Sequence, residues 1–432
     1  MLVDKIQENL KILVIGESVR RDYMSCYGYP LITTPFLNKA SGVFVDGYIA
    51  SGPNTQLSLK YSLFKSDQNG EVNFQKNLLN IAKYAGYRIY WLSNQGKSGW
   101  GDDFLYELAS LADERIFIKS GSFNSSNEDD FDLLEILKQK SSDLTSKSFV
   151  VIHMMGSHEP VCSRLGKEVS EFGRHTELNC YLSSIHKLDN FLKQLVSWAR
   201  EHDPNAEVMY FSDHALSVAE NRIFHDNDLK NEYEVPFFLL SEEVNLHRVR
   251  KLNLSAFNFL DIFANWFGVS APWIQSGYNL KKDIVSDEKI MVFYRGLRPF
   301  DQIKRSQSTL IPSSLESVKF ERVKSVNCIG NIDNNTKLNI IDGWVACKTK
   351  GGDYITCPKV GLYKQNSDAG DEFVMASKVK RQDVNNYLQV NKDIDFGFSV
   401  FNPYSDGDVY VGFMDGNKLW YCRNLKVGVN EH

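Results

Sequence analysis

The chain has 432 residues, 43% of them hydrophobic and 24% charged, with a net charge of -5. That is more than one ordinary core holds, so two domains are expected, and no basic footprint points to a nucleic-acid partner. No run approaches the roughly 18 to 20 apolar residues of a membrane helix, and the first eleven residues, with Asp4, Lys5, Glu8 and Lys11, lack a signal core.

In chain order, short β-branched or aromatic runs predict buried strands at 11–16, 87–92, 149–153, 208–212 and 235–240. Amphipathic spacing predicts helices between them: 77–85, stopped by Gly86, then 131–140, 178–200, and 255–267, closed by Gly268. The alternation predicts an α/β fold, a mostly parallel sheet in a three-layer αβα sandwich, over residues 1–285. From 286 to 314 the chain reads as a linker. From 315 to 432 short strand-like pieces separated by Gly/Asn/Asp turns, such as Gly351-Gly352-Asp353 and Asp415-Gly416-Asn417, predict a small all-β sandwich or barrel. The seven cysteines are scattered and form no CxxC pair, which predicts free thiols, although Cys347 and Cys357 flank a turn that a bridge would span.

Two predicted strands end in metal-type ligands: Ile12-Leu13-Val14-Ile15-Gly16 in Glu17, and Tyr210-Phe211-Ser212 in Asp213-His214. Ligands of open α/β sheets gather at the carboxyl ends of strands, so Glu17, Asp213 and His214 are a candidate divalent-cation set. A hydroxyl beside such an ion is activated as a nucleophile. Thr55 is the candidate, because Ser51-Gly52-Pro53-Asn54-Thr55 is a turn leading into a helix-compatible run whose N–H groups can receive a phosphate. Taken alone, a Thr or Ser there reads as an N-cap.

The segments Ile15–Ser18, Arg20–Asp22, Tyr27–Pro30, Thr33–Pro35, Gly52–Thr55, Gly156–His158 and Ser212–His214, in this order, resemble the phosphoethanolamine transferases of the alkaline phosphatase/sulfatase superfamily. The resemblance covers about residues 10 to 270. It implies that Glu17, Asp213 and His214 hold Zn2+, with Thr55 as both nucleophile and metal neighbour. His158 and His225 would act on the phosphate or bind a second ion. Asn94, Gln95 and Lys97 would contact the head group. The implied reaction moves phosphoethanolamine from phosphatidylethanolamine to a glycan or lipopolysaccharide acceptor through a phospho-threonine.

The chain also departs from the family. Ala215-Leu216 follows Asp213-His214 where Gly-Glu is usual, and Ser51 and Tyr61 stand where cysteines are common. A sulfatase would need Arg where Thr55 stands, which disfavours sulfate ester hydrolysis. A phosphodiesterase or phosphatase using water, and an inactive glycan-binding protein, are the alternatives. The C-terminal segments Ile341-Asp342-Gly343-Trp344-Val345, Arg381-Gln382-Asp383-Val384 and Phe396-Gly397-Phe398 resemble a β-domain appended to bacterial glycan-processing enzymes. Trp344, Tyr404 and Trp420 are its candidate sugar-stacking or core aromatics. The expected location is bacterial, soluble or at most peripheral at the inner membrane: cytoplasmic if the chain is complete, periplasmic if an anchor has been removed.

Overall fold

The computed structural model describes all residues other than 4–7, 98–102, 123, 125–127, 167–171, 173–175, 220–221, 226–227, 245–246, 283, 285, 304, 308, 311–321, 336–339, 366–371, 391–393, 403–406, 416–417 and 428–432. Tyr404 and the Gly416-Asn417 turn therefore lie outside the described residues. The chain forms two compact units, one of residues 1–27, 34–168 and 184–309, the other of 28–33, 169–183 and 310–432.

The first unit is built on an eight-stranded sheet in the order His247–Ser255, Gly42–Ile49, Phe237–Leu240, Glu207–Ser212, Lys11–Gly16, Ser148–His153, Arg88–Ser93, Glu114–Phe117. Phe237–Leu240 runs antiparallel to both its neighbours, and the other pairings are parallel. The central strand Lys11–Gly16 is buried at every position, as expected of a strand covered on both faces. Three strands of this sheet escaped the hydrophobic pattern. His247–Ser255 is an edge strand reading His-Arg-Val-Arg-Lys-Leu-Asn-Leu-Ser, and charge on an edge blocks further pairing. Gly42–Ile49 is interrupted by Asp46-Gly47, and Glu114–Phe117 is a short strand at the opposite edge.

Among the described residues six helices cover the sheet: α1 (Thr55–Leu63), α2 (Leu78–Tyr84), α3 (Asp103–Ala109), α4 (Asp130–Gln139), α5 (Glu177–His202) and α6 (Phe259–Trp266). Leu13 and Ile15 pack in one core with Leu59 and Leu63 of α1, Leu79 and Ile81 of α2, and Phe259 and Phe263 of α6. Ile12, Val14, Val150 and Ile152 on the opposite face are buried too, as are Leu133 and Leu137 of α4 and Leu188 and Leu192 of α5. The result is the three-layer arrangement expected.

Part of the segment read as a linker belongs to the first unit. Met291–Phe293 pairs with Leu297–Pro299 as a hairpin, and Val292 and Ile303 are buried with Ile49 and Tyr233. Its polar composition hid the few apolar side chains that anchor it.

The second unit holds two sheets. One orders Arg322–Val326, Lys418–Val427, Val409–Asp415, Val360–Lys364 and Glu372–Met375. The other contains Ile329–Asn335, Ile340–Lys348, Gly397–Phe401 and Ser377–Val379, with Tyr354–Thr356 paired to Ile340–Lys348. A core of Ile341, Val345, Leu362, Phe398, Val400, Val411 and Val427 draws on both, so the unit is a sandwich. Trp344 is half-buried edge-on to Tyr387 at 5.9 Å, and Trp420 stacks on Phe413 at 5.7 Å.

The expectation of free thiols is overturned. Disulfides join Cys328 to Cys422 and Cys347 to Cys357, and neither Cys162 nor Cys180 is a free thiol. Cys26 remains a free, buried cysteine. Spacing could not reveal a pair 94 residues apart, because strand pairing brings those two Cα atoms to 5.3 Å.

Candidate active site and metal centre

Lys11–Gly16 lies between two parallel neighbours, so the carboxyl ends of all three strands meet at one edge. Glu17 follows the central strand and Asp213-His214 the neighbour. Asp213 N–H donates to the Gly16 carbonyl at 3.1 Å, which keeps the two ends in register. Glu17, Asp213 and His214 are each buried, and their ligand atoms lie within 4.8 Å of one another.

Ser18 holds both acids. Its N–H donates to Asp213 Oδ1 at 3.1 Å and its hydroxyl donates to Glu17 Oε1 at 2.6 Å. It does so from a left-handed backbone conformation, φ 65°, which costs a non-glycine residue energy and is typical of functional turns. On the other side Ser157 N–H donates to the Glu17 carbonyl at 3.0 Å. This approach is so close that a Cβ on Gly156 would stand 2.8 Å from that carbonyl oxygen, and Gly156 itself has φ 49°.

His214 Nδ1 lies 3.0 Å from the Ala215 carbonyl, which can only accept, so Nδ1 carries the proton and Nε2 keeps its lone pair for the site. Nε2 is 3.2 Å from Glu17 Oε1 and 3.7 Å from Asp213 Oδ2.

Electrostatically the two buried acids draw their positive charge from one imidazole. Burial, followed by the charge of Glu17, pushes the Asp213 carboxyl well above its usual range. Burial works to raise Glu17 as well, but the hydrogen bond and charge of His214 outweigh it and hold Glu17 far below. Burial lowers the His214 imidazole, and Asp213 and Glu17 overcome that and drive it up. Among the described residues no hydrogen-bond donor meets the buried Asp213 Oδ2. Two buried carboxylates, an orphaned oxygen and an imidazole in the ligating tautomer fit a divalent ion of the zinc type.

Thr55 is the first residue of α1. Asn54 caps the helix, accepting from Leu57 N–H at 3.0 Å, so Thr55 sits at the positive end of the helix dipole. Thr55 Oγ1 is 3.2 Å from Glu17 Oε2. The turn before it packs so tightly that a Cβ on Gly52 would meet Leu57 Cβ at 2.5 Å. Ser58, one turn on, is buried and donates to the Asp213 carbonyl at 2.5 Å, tying α1 to the metal edge. Ser51 is fully buried and donates to the Ser58 carbonyl at 2.8 Å, which leaves Thr55 as the hydroxyl of this segment that reaches Glu17.

The remaining predicted residues divide. Gln95 joins the site, with Nε2 3.4 Å from Glu17 Oε2 and 2.9 Å from the Met154 carbonyl. His225 lies beside His214, ring centroids 5.3 Å apart, and His158 follows Ser157, whose N–H donates to the Glu17 carbonyl at 3.0 Å. Asn94 does not join: its side-chain amide is buried and donates to Asp130 and the Glu128 carbonyl. Lys97 is exposed, held through its backbone N–H to Gly121. His153, read as a core histidine, is buried next to Ser93, and burial lowers its imidazole to about 4.

Sequence reasoning missed Ser18, Ser58 and Asp130. Asp130 accepts the N–H groups of Met155 and Gly156 at 2.8 Å each and so fixes the loop that carries His158. Nothing in the local sequence marks it, because its partners are 25 and 26 residues away. Among the matched motifs, Arg20-x-Asp22 is structural in part: Arg20 is fully buried and paired to Asp22 through Nε at 2.9 Å and through Nη2.

Residues 10–269 match the sulfatase family. The chain belongs to it. Within this sulfatase-family chain the matched region ends just after α6 and contains every residue of the candidate site. It is 33% identical over 290 residues, 66% of this chain and 54% of the relative, to "Phosphoethanolamine transferase OpgE" of Escherichia coli K12. It is 40% identical over 235 residues, 51% of this chain and 47% of the relative, to a "Putative phosphoethanolamine transferase" of Haemophilus influenzae. The chain thus spans about half the length of these curated relatives. The crystal structure of the C-terminal periplasmic domain of EptC from Escherichia coli in complex with Zn shares its fold, with TM-score 0.59 and 19% identity over 70% of this chain and 96% of that one. The fold is that of the alkaline phosphatase/sulfatase superfamily.

Proposed function

We propose that this chain is the catalytic portion, residues 1–285, and an accessory β-domain, residues 315–432, of a zinc-dependent phosphoethanolamine transferase. Its donor is phosphatidylethanolamine, and its acceptor is a bacterial envelope glycan such as lipopolysaccharide. The observation that carries this reading is the Thr55 hydroxyl at a capped helix N-terminus, 3.2 Å from a carboxylate of a buried Glu17–Asp213–His214 cluster. Relatives named phosphoethanolamine transferases support the donor class.

Glu17, Asp213 and His214 would hold the ion, with Thr55 beside it and His158 and His225 available to a second. When bound, the ion supplies Lewis-acid charge stabilisation and lowers the pKa of the neighbouring hydroxyl. The chain does the rest. Thr55 Oγ1 passes its proton to Glu17 Oε2 as it attacks phosphorus, and Glu17 returns that proton when the acceptor displaces the threonine. The Thr55 Oγ1–P bond forms as the P–O bond to diacylglycerol breaks, and His158 or His225, as the imidazolium, delivers its Nε2 proton to the departing oxygen and is left as the neutral Nδ1–H ring. The N–H groups opening α1 face the phosphate charge. In the second half the acceptor hydroxyl gives its proton back to the histidine and takes the phosphoethanolamine group, restoring Thr55. Gln95 lies at the same edge and contacts the head group, whereas Asn94 and Lys97 take no part in that contact.

The disulfides favour an oxidising compartment and hence the periplasmic face of the inner membrane. Among the described residues no helix is long and apolar enough to cross a membrane. The deciding experiment is intact-mass analysis after incubation with phosphatidylethanolamine. A phosphoethanolamine adduct on Thr55, missing in Thr55→Ala, is expected. Turnover without any adduct, or release of free phosphoethanolamine regardless of acceptor, would replace transfer with hydrolysis.

A further inference from the structure

Two histidines flank the metal edge, and one residue touches both. His158 Nδ1 lies 2.6 Å from the backbone carbonyl of Glu159, and His225 Nδ1 lies 3.2 Å from Glu159 Oε1. A carbonyl oxygen can only accept, and so can a carboxylate. Each Nδ1 therefore carries its proton, and the lone pair of each neutral ring is on Nε2. His214 shows the same arrangement with the Ala215 carbonyl. All three imidazoles thus have Nδ1 committed to an oxygen, and Glu159 supplies two of the three acceptors.

The support for Glu159 is itself rigid. Its segment begins at Met155 and Gly156, both bonded to the half-buried Asp130 carboxylate, and Ser157 N–H is bonded to the Glu17 carbonyl. The Glu159 side chain is 38% exposed, at the mouth of the site rather than in the core. The side chains that follow His214, Ala215 and Leu216, are apolar and fully buried and carry no acceptor that could replace the Glu159 carboxylate.

We propose that Glu159 is a positioning residue that fixes the tautomer and orientation of His158 through its carbonyl and of His225 through its carboxylate, so that both present Nε2 to the transferred phosphoryl group. The role rests on the transferase reading above. A carboxylate or carbonyl behind a histidine in this way typically changes activity about 10- to 100-fold when removed.

The test combines Glu159→Ala and Glu159→Gln with nitrogen-15 histidine NMR of the zinc-loaded protein and steady-state transfer kinetics. Wild type should show His225 protonated on Nδ1. Glu159→Ala should shift it toward the Nε2–H form and lower kcat at least about 10-fold, with KM for the phospholipid changed less. Glu159→Gln, whose amide oxygen still accepts from Nδ1–H, should keep the tautomer and most of kcat. The proposal is overturned if Glu159→Ala leaves the His225 tautomer unchanged, or changes it with kcat intact. It is equally overturned if Glu159→Gln is as impaired as Glu159→Ala. The tautomer readout does not need transfer activity, so an inactive wild type would defeat the transferase reading and leave the assignment to be judged by NMR alone.

Discussion

Thr55 Oγ1 meets Glu17 Oε2 at 3.2 Å, joining the first residue of α1 to the residue that ends the central strand. The pairing explains why a surface-type residue, an N-terminal threonine, is drawn into a buried acidic cluster.

Thr55→Ala removes that hydroxyl while Asn54 still caps the helix. Transfer should fall by at least about 10³-fold, as expected for loss of a nucleophile. Folding stability should change by less than about 1 kcal/mol, and bound zinc should remain near wild-type stoichiometry. Activity assays, chemical denaturation and metal analysis of one preparation check all three. Near-normal turnover would remove Thr55 from the mechanism.

Ser18 should control zinc affinity. Both Ser18→Ala and Ser18→Gly lose the hydroxyl bond to Glu17, so both should bind zinc about 10- to 100-fold more weakly in chelator competition. Their stabilities should differ. Glycine relaxes the φ 65° conformation and alanine does not, so Ser18→Gly should be the more stable by about 1 kcal/mol. Equal zinc affinity in wild type and both variants would show that the hydroxyl does not orient Glu17.

At the opposite edge of the sheet, Lys11 and Glu207 form a buried ion pair at 3.0 Å, and Lys281 reaches the same carboxylate at 2.6 Å. Burial works to raise the Glu207 carboxyl, but the two ammonium groups outweigh it and bring it down to about 2. A carboxylate depressed in the fold stabilises above its unfolded pKa, and that stability is lost as pH falls from about 4.5 to 2. The gross effect is on the order of 3 kcal/mol. Lys11, whose ammonium burial pushes below its usual value, offsets part of it. Denaturation midpoints should therefore drop between pH 4.5 and 2, and less steeply in Glu207→Gln. A parallel decline in both proteins would assign acid sensitivity to other groups.

The two sandwich disulfides should stabilise their unit unequally. The Cys328–Cys422 bond closes a separation of 94 residues and Cys347–Cys357 one of 10, so loop entropy assigns the larger share to the first. Cys328→Ser/Cys422→Ser should cost about 2–4 kcal/mol and Cys347→Ser/Cys357→Ser less. Thermal melts with and without reductant would measure this. Equal losses of stability in the two double variants would contradict the ranking by loop length.

The strands ending at Glu17 and Asp213-His214 were readable because continuous apolar runs stopping at a polar ligand are a local pattern. The edge strand His247–Ser255 was not, since charges at a sheet edge look like loop. Asn94 and Gln95 are adjacent in sequence, yet Gln95 reaches Glu17 while Asn94 turns to Asp130. A one-residue step past a strand end reverses the direction of a side chain, and no sequence pattern reports that.

The amino-acid sequence by itself determined the α/β alternation, the strand-end acids and histidine, and the threonine at a helix start. Periodicity, caps and breakers act over a few residues, so those features survive in one dimension. Tertiary structure alone decided that Ser18 clasps two carboxylates, that Glu159 serves two histidines, and that the sandwich cysteines are oxidised. Each depends on groups brought together by strand order and loop packing, and the free energy of those contacts exists only once the sheet has formed.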